Sequence, residues 1–343
     1  MTGTEAPRVS VVVPALDEEA NLDECLTALA AQDYPADRIE ILVVDGGSID
    51  ATAEIIARFA ARDPRFRRLL NPTRHVSAAL NLAIAAATGS VLLRVDAHAL
   101  AAPDYVRRSV EALAASGAAV VGGPMQPEGR SVVGRAVARA MLHPFGVGTA
   151  RFRFARTVQE VDTVYLGAFP LELFERVGTF NETLVRNQDY EMNWRIRCAG
   201  GRVVVDPAIR VVYITRSSLA TVARQYASYG YWKFQMLRLH PRSLRARQLA
   251  APSFVVALGL AAAASVLALA GSAPAPLAWA LPAVAGAYAA ANLAVSLALA
   301  ARHGARLALT LPPVFATLHL AWGAGFLAGI LRPAAVAPAR GRL

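Results

Sequence analysis

The chain has 343 residues, 55% of them hydrophobic, with a mean hydropathy of +0.38. That is too apolar for a wholly soluble protein and long enough for one large α/β domain plus a second part. The formal net charge is +10, but residues 1–206 carry 22 Arg and Lys against all 25 Asp and Glu, whereas residues 207–343 carry 13 basic residues and no acidic one. Eight of those 13 lie between Arg210 and Arg247, just ahead of the uncharged stretch Pro252–Ala301. A basic collar beside an apolar span marks a membrane face lined with anionic headgroups, and this placement makes nucleic acid the weaker explanation for the high pI.

The first 16 residues lack a basic start followed by a long apolar core, so no signal peptide is expected and the N-terminal domain should remain in the cytosol. From there short β-rich runs alternate with helical patterns. Strands are expected at 9–13, 39–44, 67–70, 91–95 and 118–123, and helices at 21–32, 51–62, 77–87 and 103–116. This alternation predicts a mainly parallel sheet with helices on both faces, whose ligands bind beyond the carboxyl ends of the strands. Those ends carry Asp17 and Glu18, Asp45, and Asp96. Residues 131–148 read as an amphipathic helix, suited to a membrane surface or to ordinary packing. A further helix is expected from Gln188 to the glycines at 200 and 201, then a strand ending at Asp206. Cys25 and Cys198 each fall on an expected helix and suit reduced residues better than a disulfide or zinc site.

Beyond residue 250 the apolar segments 252–271, 275–301 and 307–331 are each long enough to cross a bilayer and show no polar face. The expected organisation is a catalytic domain over 1–215, a basic and aromatic interfacial segment over 216–250, and a membrane domain over 251–343. Tyr229, Tyr231 and Trp232 suit an interfacial belt. Three crossings from a cytosolic N-terminus would put Arg332, Arg340 and Arg342 outside, against the usual charge bias, unless one segment is re-entrant or lies along the surface. The spans contain no charged residue to bind a polar cargo, which argues against a transporter.

"VLLRVDAHAL" (91–100) is a buried-strand pattern that ends in a carboxylate and an imidazole two residues apart. Asp96 supplies a hard oxygen suited to Mg²⁺ or Mn²⁺, and His98 a nitrogen that Mn²⁺ tolerates better. The alternative for His98 is a hydrogen bond to a phosphate or a neighbouring loop.

"VVVPALDEEANL", "ILVVDGGSIDAT", "RVDAH" and "NQDYEMNWRIRCAGGRVVVDP", in this order and spacing, resemble family 2 glycosyltransferases of the GT-A fold. The resemblance covers roughly residues 8–235, and the basic collar with C-terminal spans resembles the membrane-anchored bacterial branch that builds exopolysaccharides, the succinoglycan-type glucosyltransferases in particular. It implies that Pro14, Ala15 and Glu18 cradle the nucleotide, although Leu16 and Asp17 depart from the family's aromatic-Asn pattern. It implies that Asp45 accepts from the base; its usual neighbouring aspartate is Gly46, and Asp50 reads as a helix cap. Asp96 and His98 would hold a divalent cation, Mn²⁺ or Mg²⁺, on the donor's diphosphate. Arg74, Ser77 and Asn81 would approach the diphosphate or ribose.

The same resemblance makes Asp189 the catalytic base, which takes a proton from an acceptor hydroxyl with inversion at the anomeric carbon, and ranks Glu191 second. A helix N-terminus would lower the pKa of Asp189 and burial would raise it. Arg195 matches a family arginine, while the polymerising synthases' Gln-x-x-Arg-Trp is absent from residues 222–234. The implied partners are a UDP- or GDP-sugar, a lipid-linked saccharide acceptor and membrane lipids at the cytoplasmic face of the plasma membrane, and no nucleic acid. Two further readings are a polyprenyl-phosphate transferase and a catalytically dead binding scaffold.

Overall fold

A computed structural model describes residues 5–339. These form two compact units: one runs up to Gln126 and includes Ala150–Ile214 and the chain from Val336 onward, and the other comprises Pro127–Thr149 and Thr215–Ala335.

The first unit contains strands β1 (Val9–Ala15), β2 (Ile39–Asp45), β3 (Phe66–Leu70), β4 (Val91–Arg94), β5 (Ala99–Ala101) and β6 (Val120–Gly123). The short strand β7 (Gln126–Glu128) carries the chain across the boundary into the second unit, and β8 (Gln159–Glu160), β9 (Tyr165–Pro170), β10 (Val203–Val205) and β11 (Val211–Ile214) follow in the first. Its helices include α1 (Leu22–Ala30), α2 (Thr52–Arg62), α3 (Val76–Ala86) and α4 (Tyr105–Ser116). The Val- and Ile-rich runs become strands buried from both sides; β2 is buried along its whole length, as expected where helices cover both faces of a sheet.

The eight-stranded sheet has the order β3-β2-β1-β4-β9-β6-β10-β8. The pairs β2–β3, β1–β2, β1–β4 and β6–β10 are parallel, while β9 is antiparallel to both neighbours and β8 to β10. The mainly parallel α/β expectation is met; the sequence pattern marked neither the short edge strand β8 nor the more central β9. The β9 run "YLGAFP" contains a glycine and a terminal proline and lacks clean alternation. Register sets up the site: Ala15 lies opposite Asp45, and Val12 opposite Arg94, so the carboxyl ends of β1, β2 and β4 share one edge. Because β9 runs backwards against β4, with Leu93 opposite Ala168, its first residues reach the same edge. Cys25 is buried and Cys198 exposed, and both are free thiols.

The second unit begins with α5 (Val132–Met141) and the one-turn α6 (Pro144–Val147). The amphipathic pattern over 131–148 predicts one helix; the chain instead breaks at His143, because a residue before proline is pushed out of the helical region. In the first unit α7 (Arg151–Phe154), α8 (Leu173–Val177) and α9 (Gln188–Cys198) follow in chain order.

The rest of the second unit is α10 (Leu219–Leu239), α11 (Ala250–Leu269), α12 (Ala280–His303) and α13 (Leu307–Leu331). The segments Ala250–Leu269, Ala275–His303 and Leu307–Leu331 are long and apolar enough to cross a membrane. α10 packs along α13 through glycines. A Cβ on Gly230 would lie 2.0 Å from the Trp322 carbonyl oxygen, and one on Gly325 would lie 2.0 Å from that of Ala227. Small residues that let helix backbones touch are the packing device used where lipid removes the hydrophobic drive.

Candidate active site

β4 ends at Arg94, and Asp96-Ala97-His98 forms the turn into β5. Ala97 is buried, while the Asp96 and His98 side chains stay only 18% and 17% exposed. The central group is Arg94, 6% exposed at the end of a Val/Leu strand. Its Nε donates to Asp96 Oδ1 at 2.9 Å and its Nη2 lies 2.8 Å from the same oxygen, while its Nη1 donates to Asp189 Oδ1. One guanidinium therefore bridges the strand-end carboxylate and the carboxylate in the first turn of α9. Tyr105 fixes the strand end beneath: its hydroxyl lies 3.1 Å from the Arg94 carbonyl oxygen and 3.2 Å from that of Leu166. The sequence motifs assign no role to Arg94. The signal was present, since an arginine inside a buried apolar strand requires a charged partner.

The two carboxylates are driven apart electrostatically. Burial works to raise the Asp96 carboxyl, but Arg94, His98 and Arg186 outweigh it and hold it below the ordinary carboxylate range. At Asp189 burial prevails, reinforced by Asp96 and opposed by Arg94, and the carboxyl is raised. The competition between helix N-terminus and burial is thus decided for burial. A pair of carboxylates with opposite shifts is the pattern that separates a permanently ionised group from a proton acceptor.

The β1 loop joins this cluster through Glu18, whose Oε1 lies 3.0 Å from His98 Nδ1. The Glu18 backbone N–H donates to Thr52 Oγ1 at 2.8 Å, and the N–H of Gly46 donates to the Ala15 carbonyl at 2.8 Å, so Pro14, Ala15 and Glu18 are laced to the β2 loop. Asp50 accepts from the N–H groups of Thr52 and Glu19, which ties the start of α2 to the same loop. Arg74, 48% exposed in its side chain, donates to the Gly47 carbonyl at 2.7 Å and reaches Asp17 at 3.5 Å. Asp17, Arg74, Leu166 and Asn187 all have positive φ without being glycine. Such strained backbone gathers at functional sites, and here it is found in the β1 and β3 loops, at the edge of β9 and just before Asp189.

Three residues that the resemblance sets beside the nucleotide, Asp45, Ser77 and Asn81, have hydrogen-bond partners within the protein. Asp45 is fully buried; its Oδ1 accepts from the N–H groups of Gly47 and Ser48 and from Ser48 Oγ, and its Oδ2 from Arg68. It builds the turn after β2, and those bonds with Arg68 hold its carboxyl low against the opposing effect of burial. Asn81 uses its whole amide on the loop before α9: Oδ1 accepts from the Phe180 N–H at 2.9 Å, and Nδ2 donates to the Phe180 carbonyl and to Glu182. Ser77 donates to the Leu184 carbonyl. Both fasten the chain leading to Asp189 onto α3.

Glu191 is fully buried and accepts from Arg195 Nε at 2.8 Å, and Arg195 also donates to the carbonyls of Val177, Gly178 and Thr179. This pair holds α9 to the loop after α8. Because breaking a buried ion pair strands the remaining charge, Glu191→Gln is expected to cost about 3–5 kcal/mol of stability. Chemical denaturation checks this, and an unchanged midpoint would contradict the structural role.

The Glycosyl transferase family 2 model matches residues 10–176, which include every strand-end loop from Pro14 to His98 and stop short of Asp189. The succinoglycan biosynthesis protein ExoA of Rhizobium meliloti (strain 1021) is 33% identical over 222 residues, covering 64% of this chain and 67% of that protein. The chain belongs to glycosyltransferase family 2. A second relative of the family 2 chain is the dolichyl N-acetyl-alpha-D-glucosaminyl phosphate 3-beta-D-2,3-diacetamido-2,3-dideoxy-beta-D-glucuronosyltransferase of Methanococcus voltae, 26% identical over 238 residues, or 67% of this chain and 74% of that one. The mannosyltransferase PcManGT of Pyrobaculum calidifontis, solved in complex with GDP-Man and Mn²⁺, matches with a TM-score of 0.61 at 24% identity over 95% of this chain and 88% of its own. That likeness places the chain in the same α/β fold, and the family model and the Rhizobium relative make its activity glycosyl transfer.

Proposed function

We propose that this enzyme transfers a sugar, with inversion, from a UDP- or GDP-sugar to a hydroxyl of a lipid-linked saccharide in cell-surface polysaccharide synthesis, at the cytoplasmic face of the plasma membrane. The observation that carries this is the Arg94 bridge, which sets a low-pKa carboxylate and a raised carboxylate side by side at the carboxyl edge of the sheet. In-line displacement at an anomeric carbon asks for one base on the face opposite the leaving group, and Asp189 supplies it. The two relatives support the acceptor class, one named for succinoglycan biosynthesis and one for transfer to a dolichyl-phosphate-linked sugar.

Among the described residues no group of three or more His, Cys, Asp or Glu side chains gathers to hold a metal. Asp96 and His98 nevertheless fit a cation completed by substrate phosphates, as Mg²⁺ and Mn²⁺ sites at diphosphates commonly are. The carboxylate of Glu18 on His98 Nδ1 is the kind of orienting partner that metal-bound imidazoles have, and it would leave Nε2 free for the ion. Bound there, the cation would neutralise charge on the departing nucleoside diphosphate. Turnover of a UDP- and GDP-sugar panel with Mn²⁺ and with EDTA, and the anomeric configuration of the product by NMR, test this reading. Retention of configuration would refute the single-base mechanism.

For topology, we propose that α11 and α12 cross the bilayer and that α13 lies along its surface. α11 and α12 form an antiparallel hairpin: Ser265 Oγ donates to the Leu277 carbonyl and accepts from the Leu281 N–H, and Phe254 stacks on Tyr288 at 4.4 Å. The end of α13 stays beside the basic helix α10. Tyr231 donates to the Arg332 carbonyl, and Arg238 donates to that of Ala334 at 2.7 Å. A few residues on, Ala337 accepts from Asn181 and Thr183, and the chain from Val336 belongs to the catalytic unit. A helix ending on the far side of a bilayer could not continue this way. The arrangement also removes the charge conflict at Arg332; Arg340 and Arg342 lie outside the described residues. In a Cys198→Ser background, Ala335→Cys is expected to react with an impermeant maleimide in inside-out vesicles only, and Ala273→Cys in right-side-out cells only. Labelling of Ala335→Cys from outside would restore three crossings.

A further inference from the structure

Within the second unit, α5 and the junction between α12 and α13 line an open, cleft-like cavity of about 650 Å³. Arg135 and Arg139 line it from α5, and His303 and Arg306 from the junction, with Glu128 the one acidic side chain in the lining. The two α5 arginines stand four residues apart and share a helix face. The opposite face, with Ala136, Val137 and Ala140, is buried. None of the three arginines has an ion-pair partner among the described residues.

We propose that this cavity binds the phosphate headgroup of an anionic membrane lipid. Three unpaired guanidinium groups around one space repel one another, and a phosphate whose oxygens accept their forked N–H donors relieves that repulsion. The depth is right: His303 and Arg306 follow directly on the uncharged stretch that ends at Ala301, and basic pockets at the cytoplasmic ends of membrane helices hold lipid headgroups. The surroundings are amphipathic, with Val132 46% exposed in the lining and Leu309 84% exposed just along the chain, as an acyl or polyprenyl tail requires. A soluble nucleotide fits less well, because the lining has no aromatic ring on which a base could stack. The volume falls in the range of small-molecule pockets and holds a headgroup with the first carbons of its tail.

The inference rests on the reading that α12 ends at the cytoplasmic surface, which the Ala335 and Ala273 labelling tests separately. Binding itself is measured in detergent, where topology plays no part. The full chain, delipidated, is titrated with phosphatidylglycerol, with a C55 polyprenyl phosphate and with inorganic phosphate, and retained lipid is read by native mass spectrometry. The parent should retain phospholipid or polyprenyl phosphate, and the Arg135→Gln/Arg139→Gln/Arg306→Gln variant should lose at least tenfold in affinity. An Arg242→Gln/Arg302→Gln/Arg332→Gln control, which removes the same charge elsewhere, should bind as the parent does.

Tighter retention of the polyprenyl phosphate would make the cavity an acceptor-lipid site, and equal retention a general anionic-lipid site; both support the proposal. Because the triple variant loses three side chains at once, Val132→Glu is the second probe. It places a carboxylate at an exposed lining position and should also weaken retention. Binding of inorganic phosphate without either lipid, or equal lipid retention by the triple variant, the Val132→Glu variant and the parent, would overturn it.

Discussion

Asp189→Asn is expected to lower kcat by about a hundredfold or more while leaving the donor KM nearly unchanged, since a positioned base contributes about 10²–10⁴-fold and the amide keeps the shape and the neighbours of the carboxylate. The alternative acceptor, a polyprenyl phosphate, is already an anion and needs no base, so considerable residual activity in this variant would favour it over a hydroxyl. The pH profile adds an independent readout. As the proposed base, Asp189 must be ionised to accept a proton, and its carboxyl is raised by burial and by Asp96 against the pull of Arg94. The acid limb of kcat/KM in the parent should therefore sit above the ordinary aspartate value of about 3.9. Activity rises through that limb as pH rises, and the limb should vanish in Asp189→Asn. For stability the sign is opposite: with the folded pKa above the unfolded one, the protonated form favours folding, and this group's contribution declines as pH rises through the folded value. An acid limb that survives Asp189→Asn would assign the base elsewhere.

Much of the fold was legible because it follows from periodicity. The strands at 9–15, 39–45, 66–70 and 91–94 and the helices between them appear within a few residues of the pattern, and the apolar C-terminal segments are unmistakable. β9 was not legible: nothing local in "YLGAFP" says that it inserts antiparallel between β4 and β6, a pairing decided by residues distant in sequence. The second unit shows the same limit. Residues 127–149 interrupt the catalytic sequence and group with the C-terminal helices, because the apolar face of α5 and Phe145 pack on α13, where Phe145 meets Phe315 edge-on at 5.0 Å. In the site, chemistry-bearing residue types were visible but their partners were not. Asp45 and Asn81 are as polar as any ligand-binding residue, and only the folded chain shows their hydrogen-bonding capacity spent on a turn and on the 180–182 loop. Arg94 is the converse, a residue whose importance follows from its burial and whose two partners lie 2 and 95 positions away.

Arg94→Met is expected to be the most damaging single change outside the residues assigned to substrate. The guanidinium is 6% exposed and engages both carboxylates, so methionine keeps the volume while leaving Asp96 and Asp189 facing each other without a counter-charge. Removing one member of a buried charged network costs about 3–5 kcal/mol, a large part of a typical domain's stability. Arg94 favours ionisation of both carboxylates, so its loss should raise each and move the acid limb of kcat/KM to higher pH. That shift separates a positioning role from simple destabilisation, which would lower the amount of active enzyme without moving the limb. Arg94→Lys should restore part of the stability, because an ammonium supplies charge but cannot reproduce the forked donor geometry that spans two carboxylates. Differential scanning calorimetry and a pH profile of kcat/KM on the three proteins measure both effects. Parent-like melting together with an unmoved acid limb in Arg94→Met would mean that the two carboxylates act independently, and the picture of one charged bridge that sets the pKa of the base would have to be given up.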